Sequence, residues 1–341
     1  MKAVVLVLST LLALALGAAT GVYLIDRPAS GIPGDGVIFG VEHGENLGAI
    51  SARLEREHLV RSGLFLRLLA RLKGTEQSFK AGFYRVRPGY DTLAVHDLLV
   101  EGRQDQVSVT IPEGWTAGQI AAHLERKQVT DRDGFLAAVR SPELLSRFGI
   151  PGTTLEGYLF PDTYYLSQNM PPDLIVAEMV ANFFRKLDAA EPGARDMDKR
   201  ALHDVVTLAS IVEREYRVDE EAPLIASVFT NRLKKGIGLE SCATVAYIIT
   251  EIQGKPYPKV VTKEDLAIDS PFNTYKWAGY PPAPISNPGK VALEAAFHPA
   301  QTDYYYFVLR DADSGTHYFS RDLEEHNKAK RFYLKGIGTG S

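Results

Sequence analysis

Leu208-Ala209-Ser210-Ile211-Val212-Glu213-Arg214-Glu215-Tyr216 is the stretch on which the reading of this chain turns. Leu208, Ile211, Val212 and Glu215 follow the i, i+3, i+4, i+7 spacing of one helical face. A carboxyl group on an otherwise apolar stripe must be paired, protonated or used. Burial disfavours the charged form, so its pKa is expected to rise. A carboxylic acid that keeps its proton near neutrality suits general-acid chemistry on a glycosidic bond. The plainer alternatives are a glutamate at the edge of the stripe and one half of a structural ion pair. Glu213 falls well off the stripe, which predicts a solvated or supporting group.

Working outward, Asp219-Glu220-Glu221-Ala222-Pro223 has the marks of a helix start: a cap-type residue, acids in the first turn and an early Pro. Ile225, Val228, Phe229 and Leu233 then form a second apolar stripe, which Gly236 ends. The short link between the two helices puts Glu215 at the mouth of a hairpin.

The whole chain of 341 residues is long enough for more than one domain. Its net charge is -4, and Lys and Arg are spread out without a basic run, so no nucleic-acid partner is indicated. Cys242 is the only cysteine, which excludes an intrachain disulfide. Nothing beside it suggests an activated thiol. The eight His residues show no close metal-ligand spacing, so neither a metal site nor a cofactor is expected.

Ala3 to Ile25 is a run of 23 residues without charge, between Lys2 and Asp26-Arg27. That length can span a bilayer. A cleavable signal peptide competes, because Ala13, Ala15, Ala18 and Ala19 offer small-residue sites. The length of the run and the short basic flank favour an uncleaved single-pass anchor in the plasma membrane. The folded mass after it is placed on the extracytoplasmic (periplasmic) side. Residues 28–36, rich in Pro and Gly, read as a linker.

A degenerate repeat follows. Gly44, Asn46, Ile50 and Leu54 stand at offsets 0, +2, +6 and +10; so do Gly89, Asp91, Val95 and Leu99, and Gly114, Thr116, Ile120 and Leu124. Each set is a turn glycine, a helix-cap residue and two positions of one helical face. Each follows a strand-like segment, so a strand–turn–helix unit recurs three times. The first two units resemble LysM-like modules, which bind N-acetylated glycans; the third leads into a larger domain. Equally, this is how short strand–helix links look in general.

Further along, Leu136–Phe148 and Val176–Leu187 read as helices. Between them Leu155-Glu156-Gly157-Tyr158-Leu159-Phe160-Pro161-Asp162-Thr163-Tyr164-Tyr165 reads as a loop. Its rings either stack on sugar faces or plug the core. Glu156 and Asp162 are carboxylates able to support a site, and Asp162 could instead cap a turn. Asp269–Tyr275 and Gly279–Gly289 form an irregular, Pro-stiffened segment carrying Asn273, Tyr275, Ser286 and Asn287. Such segments commonly line sites on a rigid scaffold. A helix at Val291–Phe297, a hairpin of Tyr304–Leu309 with His317–Phe319 about Gly315, and a helix over 322–334 complete the chain.

Taken together, several segments resemble the YceG-like family of endolytic murein transglycosylases. They are Phe79-Lys80-Ala81-Gly82-Phe83-Tyr84, the Glu156–Tyr164 stretch, Ala209–Glu215, Ala226-Ser227-Val228-Phe229-Thr230-Asn231-Arg232-Leu233, Ser270–Tyr275 and Pro281–Gly289. Their co-occurrence in this order is more specific than any one of them. The resemblance implies an α+β fold with an N-terminal transmembrane helix, a small LysM-like α/β subdomain and a mixed α+β catalytic domain. The expected boundaries are 1–27 for anchor and flank, 28–36 for the linker, 37–105 for the LysM-like part and 106–341 for the catalytic part.

The resemblance also makes Glu215, the second glutamate of the Glu-x-Glu pair, the catalytic acid. It implies non-hydrolytic cleavage of the β-1,4 bond between N-acetylmuramic acid and N-acetylglucosamine in peptidoglycan strands, leaving a 1,6-anhydro end. Substrate positioning is assigned to Asn273, Tyr275 and Asn287, and orientation of the acid to Glu156 or Glu213. One departure stands out. Where the family usually carries Leu-Gln-Ser-Asp-Pro-Thr-Val, this chain reads Leu239-Glu240-Ser241-Cys242-Ala243-Thr244-Val245. Glu240 either supplies a second carboxylate or occupies the Gln position. Expected partners are the glycan strands, the membrane and a peptidoglycan synthase. Two rivals remain: a hydrolytic muramidase with Glu240 or Asp162 activating water, and a non-catalytic, membrane-tethered glycan-binding scaffold.

Overall fold

The computed structural model describes residues 26–42, 44–103 and 106–333. The apolar run at residues 3–25 lies outside them. No helix of the described residues is long and apolar enough to cross a membrane. The described residues fall into two compact units. One runs through Val107 and takes in Tyr165–Met170; the other holds Ser108–Tyr164 and the chain from Pro171.

In the first unit, β1 (Val37–Val41) leads through α1 (Leu47–Arg56) and α2 (Gly63–Lys73) to β2 (Gly82–Val86), and α3 (Thr92–Glu101) follows. β1 and β2 are antiparallel, with Phe39 opposite Tyr84 and Val37 opposite Val86. Phe39 and Val41, two apart on β1, turn inward. They join Ile50, Leu54, Leu66, Tyr84, Val95 and Leu99 in one core. The glycine of each expected strand–turn–helix unit has left-handed backbone: φ is 80° at Gly44, 86° at Gly89 and 72° at Gly114. The cap residues also act as expected. Asn46, Asp91 and Thr116 each accept the N–H three residues on.

The second unit is mainly helical. β3 (Gln106–Thr110) pairs with β4 (Thr163–Ser167), and the division between the units falls within both strands, after Val107 and after Tyr164. Between them lie α4 (Ala117–Arg126), α5 (Arg132–Val139) and α6 (Pro142–Phe148). The single helix expected over 136–148 is therefore two. Ser141 caps the second and Pro142 occupies its first turn, where a missing N–H costs nothing. α7 (Pro172–Ala190) is longer than the apolar pattern implied. α8 (Lys199–Val212) is the central helix; it packs on α9 (Ala222–Lys234) and on α12 (Lys290–Phe297). Between those two run the short helices α10 (Cys242–Tyr247) and α11 (Lys263–Leu266). The hairpin of β5 (Tyr306–Leu309) and β6 (His317–Ser320) and the helix α13 (Leu323–Tyr333) close the described chain. The fold is α+β.

Candidate active site

Glu215 does not lie on α8, as its spacing suggested. The helix ends at Val212, and the chain tightens into i→i−3 bonds: Arg214 N–H to Ile211 O at 3.1 Å and Glu215 N–H to Val212 O at 3.0 Å. Tertiary contacts hold this turn on both flanks. The Arg214 guanidinium donates to Gly114 O at 2.9 Å, and Glu213 Oε2 accepts from Gly289 N–H at 2.9 Å. Glu213 is thus not a solvated group. Burial, opposed by the Gly289 N–H and raised further by nearby Glu113, pushes its pKa up to about 7.

The segment carrying Asn287 is stitched to the same end of α8. The Ser210 hydroxyl accepts from Ile285 N–H, and the Ser286 hydroxyl donates to Ser210 O. Asn287 is completely buried. Its Oδ1 accepts from Gly157 and Leu159 N–H, and its Nδ2 donates to Trp115 O and Glu156 Oε1. Glu156 in turn accepts Ala117 N–H at the start of α4. Burial pushes the Glu156 pKa up to about 8, against those two donors. Tyr158, Phe160 and Tyr164 from the same loop fill the core instead of facing sugar.

Asn273 is also fully buried. Its Nδ2 donates to Leu266 O and Ile268 O, and its Oδ1 accepts Tyr275 N–H. Asn273 and Asn287, expected to touch substrate, are fully buried and brace the loops that carry them. Neither Glu156 nor Glu213 bonds to Glu215; each accepts a backbone N–H, from Ala117 and from Gly289. Asp162 pairs with Lys186 and Asn182, and it does not line the cavity around Glu215.

That cavity holds about 350 Å³ and is lined by Glu215, Ser241, Cys242, Glu240, Tyr275 and Arg232. Glu215 Oε1 accepts the Ser241 hydroxyl at 2.5 Å, and Ser241 Oγ accepts Ala243 N–H at 3.2 Å. Burial raises the Glu215 pKa; the Ser241 hydrogen bond and the Arg214 charge oppose that rise. Tyr275 places its hydroxyl 3.0 Å from Cys242 Sγ. Thr274, next to it, ties the two loops together by accepting Ser241 N–H on its hydroxyl and Glu240 N–H on its carbonyl.

Arg232, on α9, organises the opposite wall. It is buried and donates to Gly238 O and Tyr305 O. It also pairs with Glu240 at 2.8 Å. Glu240 adopts left-handed backbone, φ 52°, which aims its carboxylate at that guanidinium. Sequence reasoning assigned no role to Ser241 or Arg232. The one available signal was that both sit inside segments matched to the family pattern. Among the described residues no group of three or more His, Cys, Asp or Glu is placed to hold a metal ion.

A family model described as the YceG-like family matches residues 39–332. The chain is 32% identical over 312 residues to a protein of Bacillus subtilis (strain 168) named endolytic murein transglycosylase, covering 86% of this chain and 84% of that one. It is 30% identical over 322 residues to a protein of the same name from Streptococcus pneumoniae serotype 2 (strain D39), where it spans only 57% of the longer relative. A crystal structure of a yceG-like protein from Listeria monocytogenes matches with a TM-score of 0.58 at 31% identity, over 86% of this chain and 98% of that one.

Proposed function

The chain belongs to the YceG-like family, and on that premise we propose that it is an endolytic lytic transglycosylase acting on peptidoglycan. The observation that carries the reading is Glu215, desolvated yet facing an open cavity and hydrogen-bonded to Ser241. Protonated Glu215 donates to the oxygen between N-acetylmuramic acid and N-acetylglucosamine, and the sugar develops oxocarbenium character. The muramoyl 6-hydroxyl then attacks the anomeric carbon and returns its proton to Glu215. An intramolecular nucleophile gains from proximity, so one carboxyl group serves as acid and then as base. Tyr275 and Arg232 shape the cavity, while Asn273, Asn287, Glu156 and Glu213 hold its loops in register.

Glu240 gives a second reading some support, because it lines the same cavity as Glu215. As a water-activating base it would make the enzyme a muramidase. Its ion pair with Arg232 favours instead a wall-building role. Mass spectrometry of digested sacculi separates the two: anhydro ends for transglycosylation, reducing ends for hydrolysis.

The remaining assignments follow the sequence. Residues 3–25 tether the protein to the plasma membrane, with the catalytic part, 106–341, on the extracytoplasmic side. Residues 37–105, a strand, two helices, an antiparallel strand and a third helix, serve as a LysM-like glycan-binding part. Cleavage of nascent strands places a peptidoglycan synthase beside the enzyme.

A further inference from the structure

The helix α2 has an apolar face that nothing in its own unit covers. Gly63, Leu66 and Ala70 are buried, which accounts for its packing. Leu64, Leu68 and Leu72 are 68%, 51% and 78% exposed. They recur at i, i+4 and i+8, so they form one stripe on the side away from the core. Single exposed leucines need no explanation, but three in register do.

The flank of the stripe is basic. Arg67 and Arg71 stand one turn apart beside it, Lys73 closes the helix, and the helix itself contains no acid. Arg71 meets Glu76 in an exposed pair and Lys73 meets Asp97; exposed pairs of this kind are weak and are readily exchanged for another anion. Leucines in the middle with arginines alongside is the pattern of a helix that lies in a membrane interface, where long basic side chains reach back to phosphates.

The start of the described chain fixes which surface this is. Pro28 O accepts from Arg61 Nε, one residue before the Ser62 cap of α2. Asp26 Oδ1 accepts Leu93 N–H in the same unit. The described chain, which follows the uncharged run of residues 3–25, therefore starts beside the first turn of α3 at Asp26 and meets the residue before the α2 cap at Pro28. A bilayer holding that run would lie within reach of the stripe.

We propose that α2 lies on the membrane surface, with Leu64, Leu68 and Leu72 in the acyl boundary and Arg67 and Arg71 on anionic phosphate groups. The inference rests on the tether proposed above. It makes the first unit a membrane-apposed body instead of one swinging freely on a linker.

The test uses the full chain reconstituted in vesicles of phosphatidylcholine and phosphatidylglycerol, with lipids brominated near the headgroup end of the acyl chain. Leu68→Trp and Leu72→Trp each add an indole to Trp115 and Trp277. Both positions are exposed, so folding is expected to survive. The added emission is expected to fall by about half with brominated lipid, as for a helix at the headgroup boundary. Arg67→Glu with Arg71→Glu in the Leu68→Trp protein should restore it. Added emission that the brominated lipid leaves unquenched in both variants overturns the proposal. So does a blue shift that grows with protein density but ignores bromine, which would mean a second copy covers the face. Flotation of the vesicles reports the tether separately. A chain that fails to float contradicts the tether, and the same readout with excess added vesicles then tests α2 alone.

Discussion

The Ser241 hydroxyl is both acceptor and donor: it accepts Ala243 N–H at 3.2 Å and donates a hydrogen bond to Glu215 Oε1 at 2.5 Å. The first turn of α10 is thereby coupled to the carboxyl group proposed as the acid. The bond favours the ionised form of Glu215 and so restrains the rise that burial causes. Ser241→Ala removes that restraint. The alkaline limb of the pH–rate profile, where the acid form is lost, is expected to move to higher pH. Losing the cap should cost about 1 kcal/mol of stability. A profile that moves to lower pH would contradict this electrostatic role.

Glu156 links stability to pH. Its pKa is about 8 in the folded protein, against an ordinary value of 4.5. Between those values the native state holds a proton that the unfolded chain has released. Its contribution is full below the unfolded value and is lost as pH rises through the folded one. Stability should then fall with pH by up to about 1.4 kcal/mol per unit. Glu213, pushed up to about 7, contributes a slope of the same sign. Urea melts between pH 5 and pH 8 test this, with Glu156→Gln expected to flatten the slope and Glu156→Gln with Glu213→Gln to flatten it further.

Gly157 sits where its own loop meets the Pro284–Asn287 segment and the helix α8. Its φ is 89°, and an added Cβ would lie 2.4 Å from Pro284 Cβ and 3.2 Å from Val206 Cγ1. Its N–H is also one of the two bonded to Asn287 Oδ1. Gly157→Ala combines backbone strain with overpacking and should destabilise by about 2–5 kcal/mol. At Gly289 the nearest atoms to an added Cβ belong to the flexible side chain of exposed Glu113, so Gly289→Ala should cost far less. Thermal melts of the two variants side by side check the contrast.

Arg232 is a buried fork whose removal strands two carbonyls and releases Glu240. Arg232→Ala is expected to cost about 3 kcal/mol or more, since each unpaired buried group costs about 1–3. Glycan cleavage should weaken mainly through KM, because the cavity wall loosens while Glu215 and Ser241 stay in place. Arg232→Lys keeps one charge but not the fork, so it should recover little. Denaturant titration and steady-state kinetics separate the two effects.

The elements were read well where the signal is local. Gly44, Gly89 and Gly114, each two residues before a cap, mark positions that only a left-handed backbone satisfies. Leu208, Ile211 and Val212 located α8 for the same reason, but its end is tertiary. Gly114 O and Gly289 N–H hold the side chains of Arg214 and Glu213, and neither partner is near in sequence. That is why Glu215 was placed on a helix it follows.

The site divides along the same line. Glu215, Tyr275 and Glu240 were chosen from the sequence and do share the cavity. Asn273 and Asn287 stand in Pro-stiffened segments of the kind that line sites, yet such a segment reads the same whether it faces solvent or braces the interior. Ser241 and Arg232 matter through partners 26 and 73 residues away, a relation that no local pattern carries.

The most direct test is product analysis on intact sacculi with wild type and Glu215→Gln. Wild type should release strands ending in 1,6-anhydro-N-acetylmuramic acid. Glu215→Gln, which keeps the shape but cannot exchange a proton, should fold normally and release such ends at least about 10²-fold more slowly. Anhydro ends formed by Glu215→Gln at the wild-type rate would contradict the assignment of Glu215 as the acid.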